Sequence, residues 1–228
     1  MTSRDIVVSD SQQLLGSLAE HGWSRQSSEG MDYGSIIREL GQLGDRLGRR
    51  VPGRAGSLEE VVEPRPVDDA HPRSLSARYG LGRLPFHIEL SHRTRPCRYL
   101  LLGCIDPGSP SAATMLLDWR TLAFAREELE LLEEVPVLVR TGRRSFYSTI
   151  LATGGAFLRY DPACLEALDE RGRRAMQLVE DRIAGAPSDA HHWRQGDILI
   201  IDNWRVLHGR SPSDRGSGRR LARLLIDA

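Results

Sequence analysis

The sequence predicts a mainly β fold with flanking helices, and three observations carry that prediction. From residue 84 onward the chain breaks into short apolar runs separated by Gly or Pro turns. Helical stretches interrupt those runs, but without the regular strand–helix alternation of a parallel sheet. The first third instead carries its apolar residues at helical spacing. Together these features point to a jelly-roll or barrel rather than a doubly wound sheet.

Taken in order, Leu14, Leu15 and Leu18 share one face of a helix over residues 11–21, which Gly22 ends. Ile36, Ile37, Leu40, Leu43 and Leu47 repeat the pattern over Tyr33–Leu47, and Gly48 stops it. Residues 50–75 hold Pro52, Gly53, Gly56, Pro64, Pro66 and Pro72 and read as a loop-rich approach. Strands are expected at 86–90, 99–105, 114–119, 135–140, 145–151 and 156–160. A Leu- and Glu-rich helix is expected at 120–134, its acidic residues forming a solvated face. A second helix is expected at 164–184, with Leu165, Leu168, Met176 and Val179 on its apolar side. Strands return at Asp197–Asp202, 206–209 and 219–226, and no internal repeat is found.

A chain of 228 residues and 25.5 kDa is long enough to bury a core without a disulfide or metal staple. It reads as one domain over 1–228, with a helical and loop N-terminal part (1–73) and a jelly-roll core with helical insertions (74–228). The 31 basic residues balance 31 acidic ones, so no global charge pulls the protein toward nucleic acid or an anionic membrane. Every basic residue is Arg. The absence of Lys excludes Schiff-base, P-loop and general-base lysine chemistry. Cys97, Cys104 and Cys164 lack the paired spacing of a zinc or redox motif and read as core residues. No signal peptide is evident at Met1–Asp5 and no run of apolar residues could span a membrane, so a soluble, cytoplasmic protein is expected.

His87 and Glu89 stand two residues apart, which on a strand puts imidazole and carboxylate on one face. Alone, that pair is weak evidence. His208 adds weight, because it follows an apolar strand and a polar turn in Asp197-Ile-Leu-Ile-Ile-Asp-Asn-Trp-Arg-Val-Leu-His-Gly-Arg. Two His and one carboxylate make the facial triad that leaves positions open on non-haem Fe(II). Further on, strand parity puts Arg219 and Arg223 on one face and Arg220 on the other. A guanidinium there suits a bidentate grip on a carboxylate.

The order of these pieces resembles the Fe(II)/2-oxoglutarate-dependent dioxygenases of the taurine dioxygenase and clavaminate synthase-like superfamily. The matching text is Leu84-Pro-Phe-His-Ile-Glu-Leu, Arg98-Tyr-Leu-Leu-Leu-Gly-Cys and Thr114-Met-Leu-Leu-Asp, then the segment ending at His208-Gly-Arg, then Arg219-Arg-Leu-Ala-Arg. It covers about residues 74 to 226. The resemblance implies a double-stranded β-helix (jelly-roll) core, with His87, Glu89 and His208 binding Fe(II). It implies that Arg219 holds the distal carboxylate of 2-oxoglutarate, with Arg220 as the alternative register. Thr114 falls where the family places a helping hydroxyl, an ordinary strand Thr being the plain alternative. Arg223 falls where relatives bind a substrate carboxylate or sulfonate, or else forms a structural salt bridge. Ser76 and Tyr79 lie on the approach that relatives use for substrate contacts. His92 reads as a neighbour of the site or a surface residue, and His191-His192 as a loop rather than a ligand pair.

The reading is then a non-haem Fe(II) oxygenase using 2-oxoglutarate and dioxygen to hydroxylate an unactivated C–H bond. The substrate class it suggests is an amino acid, a peptide or another specialised metabolite. The stretch between Glu89 and His208 looks short for the family, which suggests an open pocket and a large or tethered substrate. Two rivals stand beside it: a jelly-roll binding protein without turnover, and a cupin-type metal enzyme that uses no 2-oxoglutarate. Neither rival needs a buried guanidinium opposite the metal.

Overall fold

Fully buried runs mark where the sheets form, because a strand covered on both faces is largely apolar. Every residue of Asp197–Asp202 and of Val206–Arg210 is buried, and both segments are interior strands. In chain order the computed structural model carries α1 (Asp10–His21), β1 (Trp23–Ser27), α2 (Tyr33–Leu47), β2 (Arg49–Val51), β3 (Glu59–Val62), α3 (Ser76–Tyr79) and β4 (Leu84–His87). Next come β5 (Tyr99–Asp106), β6 (Thr114–Asp118), α4 (Arg126–Glu134), β7 (Pro136–Val139), β8 (Phe146–Thr149) and β9 (Leu165–Ala167). The chain closes with α5 (Glu170–Gly185), β10 (Asp189–His191), β11 (Asp197–Asp202), β12 (Val206–Arg210) and β13 (Arg220–Asp227). The structure describes residues 10–27, 30–53, 56–72, 74–141 and 144–228.

The strands form three antiparallel sheets. The largest runs β1-β11-β5-β13-β2, with β3 also paired to β13. A second runs β10-β6-β12-β4, and a third β8-β7-β9. Strand alternation sorts the core into layers. Leu101, Ile198, Ile200, Leu224 and Ile226 leave one face of the large sheet and pack under Leu14, Leu18, Ile36 and Leu40 of α1 and α2. Their neighbours Leu100, Leu102, Leu199, Ile201 and Leu225 point the other way and meet Leu116 and Val206 of the second sheet. Leu117 and Leu207, on the far face of that sheet, join Leu132, Val137 and Val179 in a third cluster. Burying each such side chain is worth about 1.5–3 kcal/mol. Gly103 sets the approach of α2, since a Cβ there would sit 2.5 Å from Ile36 Cγ2.

Mainly β with flanking helices is what the structure shows. The 1–73 region is not only helix and loop, however: β1, β2 and β3 all lie in it and join the large sheet. Their sequences, Trp-Ser-Arg-Gln-Ser, Arg-Arg-Val and Glu-Glu-Val-Val, lack the apolar runs of interior strands. The second helix starts later than its apolar residues imply. Leu165–Ala167 pairs with β7, and Asp169 caps α5 by accepting from the Gly172 N–H at 2.7 Å. Residues 120–134 split at Ala123, which has φ 49°, into a 3₁₀ turn and α4. Residues 156–160 form no strand beyond one bridge between Leu151 and Leu158. The three cysteines are free and buried, as read. Residues 1–5, on which the signal-peptide reading rests, lie outside the described residues. Among those described, no helix is long and apolar enough to cross a membrane.

Candidate metal and cosubstrate site

His87 closes β4, and His208 lies directly across from it in the β4–β12 pairing. Their rings stand 4.4 Å apart between centroids, inclined at 48°. Gly209 keeps the two strands this close, because a Cβ there would meet Leu84 O at 2.8 Å. Glu89 reaches the same point by another route than the strand parity expected. β4 ends at His87, and the next residues turn, with Leu90 at φ 56°. Asn203 holds that turn: its Oδ1 accepts from Glu89 N–H at 2.7 Å, and its Nδ2 donates to the carbonyls of Glu89 at 3.0 Å and Cys97 at 2.8 Å. Arg159, fully buried, donates to the carbonyls of Ser91, Arg93 and Thr94 just beyond. Neither clamp drew notice in the sequence, although Asn203 stands five residues before His208 in the segment that carries the resemblance.

One ligand atom from each of His87, Glu89 and His208 lies within 4.8 Å of the others. The protonation states suit a metal. His87 Nδ1 is 3.0 Å from Pro85 O, and a carbonyl can only accept, so Nδ1–H donates there and Nε2 is the ring nitrogen left for a metal. Burial, with His87 beside it, pushes the His208 imidazole well below its ordinary value and keeps it neutral. Its Nδ1 is buried without a hydrogen-bond partner. Burial disfavours charge on Glu89, but Arg223 and then the two imidazoles outweigh it and hold the carboxyl down at about 2. An orphaned imidazole nitrogen and an ionised carboxylate fit a divalent cation, and the donor set is that of non-haem Fe(II).

All three residues line one cavity of about 1310 Å³. Arg219 and Thr114 line it too. Arg219 is buried and Arg220 exposed, which is the parity expected of them. The Arg219 guanidinium donates to Ala112 O at 2.9 Å, while its Nε is buried and unpartnered. Burial, and then Arg210, lower its pKa to about 10, so it stays charged at neutral pH. Thr114 Oγ1 accepts from Trp193 Nε1 at 3.1 Å, which leaves the hydroxyl proton to donate elsewhere. A buried cation without a carboxylate and a free hydroxyl donor lining one cavity suit a ligand carboxylate.

The remaining expectations divide. Arg223 lines the cavity, but its guanidinium bonds Glu89 Oε2 at 2.7 Å and Glu60 Oε2, which is the salt-bridge alternative. Two carboxylates already occupy the fork that was to hold a substrate anion. Ser76 lines the cavity, as does His92. Tyr79 is not among the described lining residues; its ring lies beside Arg78, which lines the wall in its place. His191 is not in a loop but in β10, buried opposite Thr114.

Burial drives the His191 imidazole down to about 4, with Asp197 3.8 Å away opposing the shift. The unfolded chain therefore takes up a proton near pH 6.5 that the folded chain refuses until about pH 4. The resulting stability is present above pH 6.5 and lost as pH falls toward 4, by about 3 kcal/mol. In urea titrations of the metal-free protein across that range, His191→Gln should remove this share of the acid sensitivity. Equal slopes for variant and parent would refute it.

Residues 124–225 match the family model described as taurine catabolism dioxygenase TauD, TfdA family. That span includes His208, Arg219 and Arg223 but neither His87 nor Glu89. The chain is 23% identical to 3-((Z)-2-isocyanoethenyl)-1H-indole synthase of Fischerella ambigua (strain UTEX 1903), over 96% of this chain and 88% of the relative. It is 29% identical to a clavaminate synthase-like protein of Arabidopsis thaliana, over 44% of this chain and 32% of that one. Among solved structures, asparagine oxygenase in complex with Fe(II), hydroxyasparagine and succinate is similar, with a TM-score of 0.76 at 18% identity. The match covers 95% of this chain and 79% of that one. The non-heme iron oxygenase OrfP, in complex with Fe and alpha-ketoglutaric acid, matches with the same TM-score and coverage at 19% identity. Residues 124–225 are thus similar to the TauD, TfdA family, and the fold of the chain is that of the two iron oxygenases.

Proposed function

We propose that this protein is an Fe(II)- and 2-oxoglutarate-dependent hydroxylase acting on an amino acid or a derivative of one. The observation that carries the reading is one cavity lined by both halves of the required chemistry: three convergent ligands, and a buried, carboxylate-free Arg219. His87, Glu89 and His208 would hold the metal, and Arg219 with Thr114 the distal carboxylate of 2-oxoglutarate. Together with dioxygen, the bound pair supplies the oxidising power to replace C–H by C–OH, with succinate and carbon dioxide as co-products. The protein's share is to orient and shield: Arg223 fixes the Glu89 carboxylate, and Leu100, Leu102 and Leu221 supply an apolar wall. The solved relatives in complex with hydroxylated asparagine and arginine support an amino-acid scaffold. We read 1–228 as one catalytic domain acting in the cytoplasm, its two larger sheets forming a double-stranded β-helix (jelly-roll) core.

The test is turnover. With Fe(II), 2-oxoglutarate and dioxygen alone, the protein should form succinate slowly, and a true substrate should speed this by about tenfold or more. Succinate counted by mass spectrometry against a panel of amino acids and peptides reads it out. Succinate no higher than in Glu89→Ala, across the panel, would favour the binding-protein reading.

A further inference from the structure

The chain as a whole is neutral, but its cavity is not. Among the described lining residues, seven arginines stand against four carboxylates. Arg223 is matched by Glu60 and Glu89, and Arg140 by Glu166 at 2.6 Å outside the cavity. Arg219 is the grip for 2-oxoglutarate. Arg210 is spent deep in the wall on the carbonyls of Gly80 and Gly82. That leaves Arg65 on the exposed stretch after β3, Arg78 on α3 and Arg93 in the loop after β4.

The described hydrogen bonds of Arg78 and Arg93 are to backbone carbonyls only, whereas Arg65 has none described to hold it in place. Arg78 donates from Nη1 to Pro162 O at 2.9 Å, and Arg93 from Nη2 to Pro52 O at 2.6 Å and to Gly53 O at 3.5 Å. A carbonyl fixes a guanidinium in place without neutralising it, and one terminal nitrogen used leaves most of each fork for a ligand. Volume points the same way. Small-ligand pockets run to roughly 300–1,000 Å³, and this one, at about 1310 Å³, is larger than 2-oxoglutarate and a free amino acid require.

We infer that the substrate is extended and carries an anionic group of its own, a phosphate or a carboxylate, which Arg78 and Arg93 bind while the reacting carbon lies near His87 and His208. This rests on the oxygenase reading and adds the substrate's charge and reach to it. Arg223 is closed to this anion by Glu60 and Glu89.

The experiment is calorimetry on the full chain loaded with Co(II) and 2-oxoglutarate, using matched probes: O-phospho-L-serine and L-serine, phosphopantetheine and pantetheine, L-glutamate and L-glutamine. At least one anionic member should bind about tenfold or more tighter than its neutral twin, and its preference over the other pairs separates phosphate from carboxylate. Arg78→Gln/Arg93→Gln should erase that difference while leaving Co(II) and 2-oxoglutarate affinity unchanged. Arg78→Gln alone, at an exposed side chain, gives a second reading should the pair fail to fold. Equal binding of the twins, no binding by any anionic member, or a preference that survives the substitutions overturns the inference while the oxygenase reading stands. Failure of Co(II) and 2-oxoglutarate to bind at all sinks that reading, and this inference with it.

Discussion

Arg219→Ala should weaken 2-oxoglutarate binding by about 2–4 kcal/mol, roughly 30- to 900-fold, the scale for removing one partner of a buried hydrogen-bonded charge pair. Arg220→Ala should change it little, because that side chain is exposed on the opposite face. Stability gives a second, sharper signature. Without its ligand, Arg219 is a buried cation bonded to one carbonyl, with an unpartnered Nε and Arg210 close by. Such a charge costs free energy that an apolar replacement does not. Ligand-free Arg219→Met should therefore be at least as stable as the parent, yet lose the rise in melting temperature that 2-oxoglutarate gives the metal-loaded protein. Anaerobic titration and thermal melts read the two halves separately. Normal 2-oxoglutarate binding by both Arg219 variants would remove this residue from the site.

How far the sequence could be read follows from what each element is made of. Interior strands such as β5, β11 and β13 are apolar on both faces, so composition alone exposes them. β1 and β3 are recruited by neighbours they cannot announce: Arg25 faces Leu199 and Glu60 faces Arg223 only because β11 and β13 need partners. The site divides along the same line. His87, His208 and Arg219 sit on or beside strands whose parity is legible, and the structure brings them to one cavity. Glu89 arrives by a turn that strand geometry does not describe. Asn203, Arg159 and Glu60 act through backbone contacts and charge across long sequence separations, which no local pattern records. Arg223 shows the limit most clearly: its position left a substrate-anion site and a salt bridge both open, and Glu89 together with Glu60, from an unforeseen strand, decides for the bridge.

Removing any one metal ligand should cost more than about 100-fold in affinity, because a three-donor site has no spare. His87→Ala, Glu89→Ala and His208→Ala should each abolish binding of Fe(II), or of Co(II) in its place, under anaerobic calorimetry. The variants differ in what they leave behind. Glu89→Ala strips Arg223 of one of its two carboxylates and leaves a cation beside an incoming cation, so it should be the most damaging. His208→Ala removes a buried imidazole that bonds to no described group through Nδ1, and should leave metal-free stability nearly intact. Asn203→Ala separates ligand identity from ligand placement. It keeps all three donors but releases the Glu89 backbone at both its N–H and its carbonyl. Loss of such a support typically costs 10- to 100-fold in metal affinity, so Asn203→Ala should fall between the parent and the ligand deletions. Its Co(II) absorption spectrum should broaden as the geometry loosens, whereas a purely structural role would lower the melting temperature and leave the spectrum unchanged. Parent-like metal binding in two of the three ligand variants would show that the metal is held elsewhere.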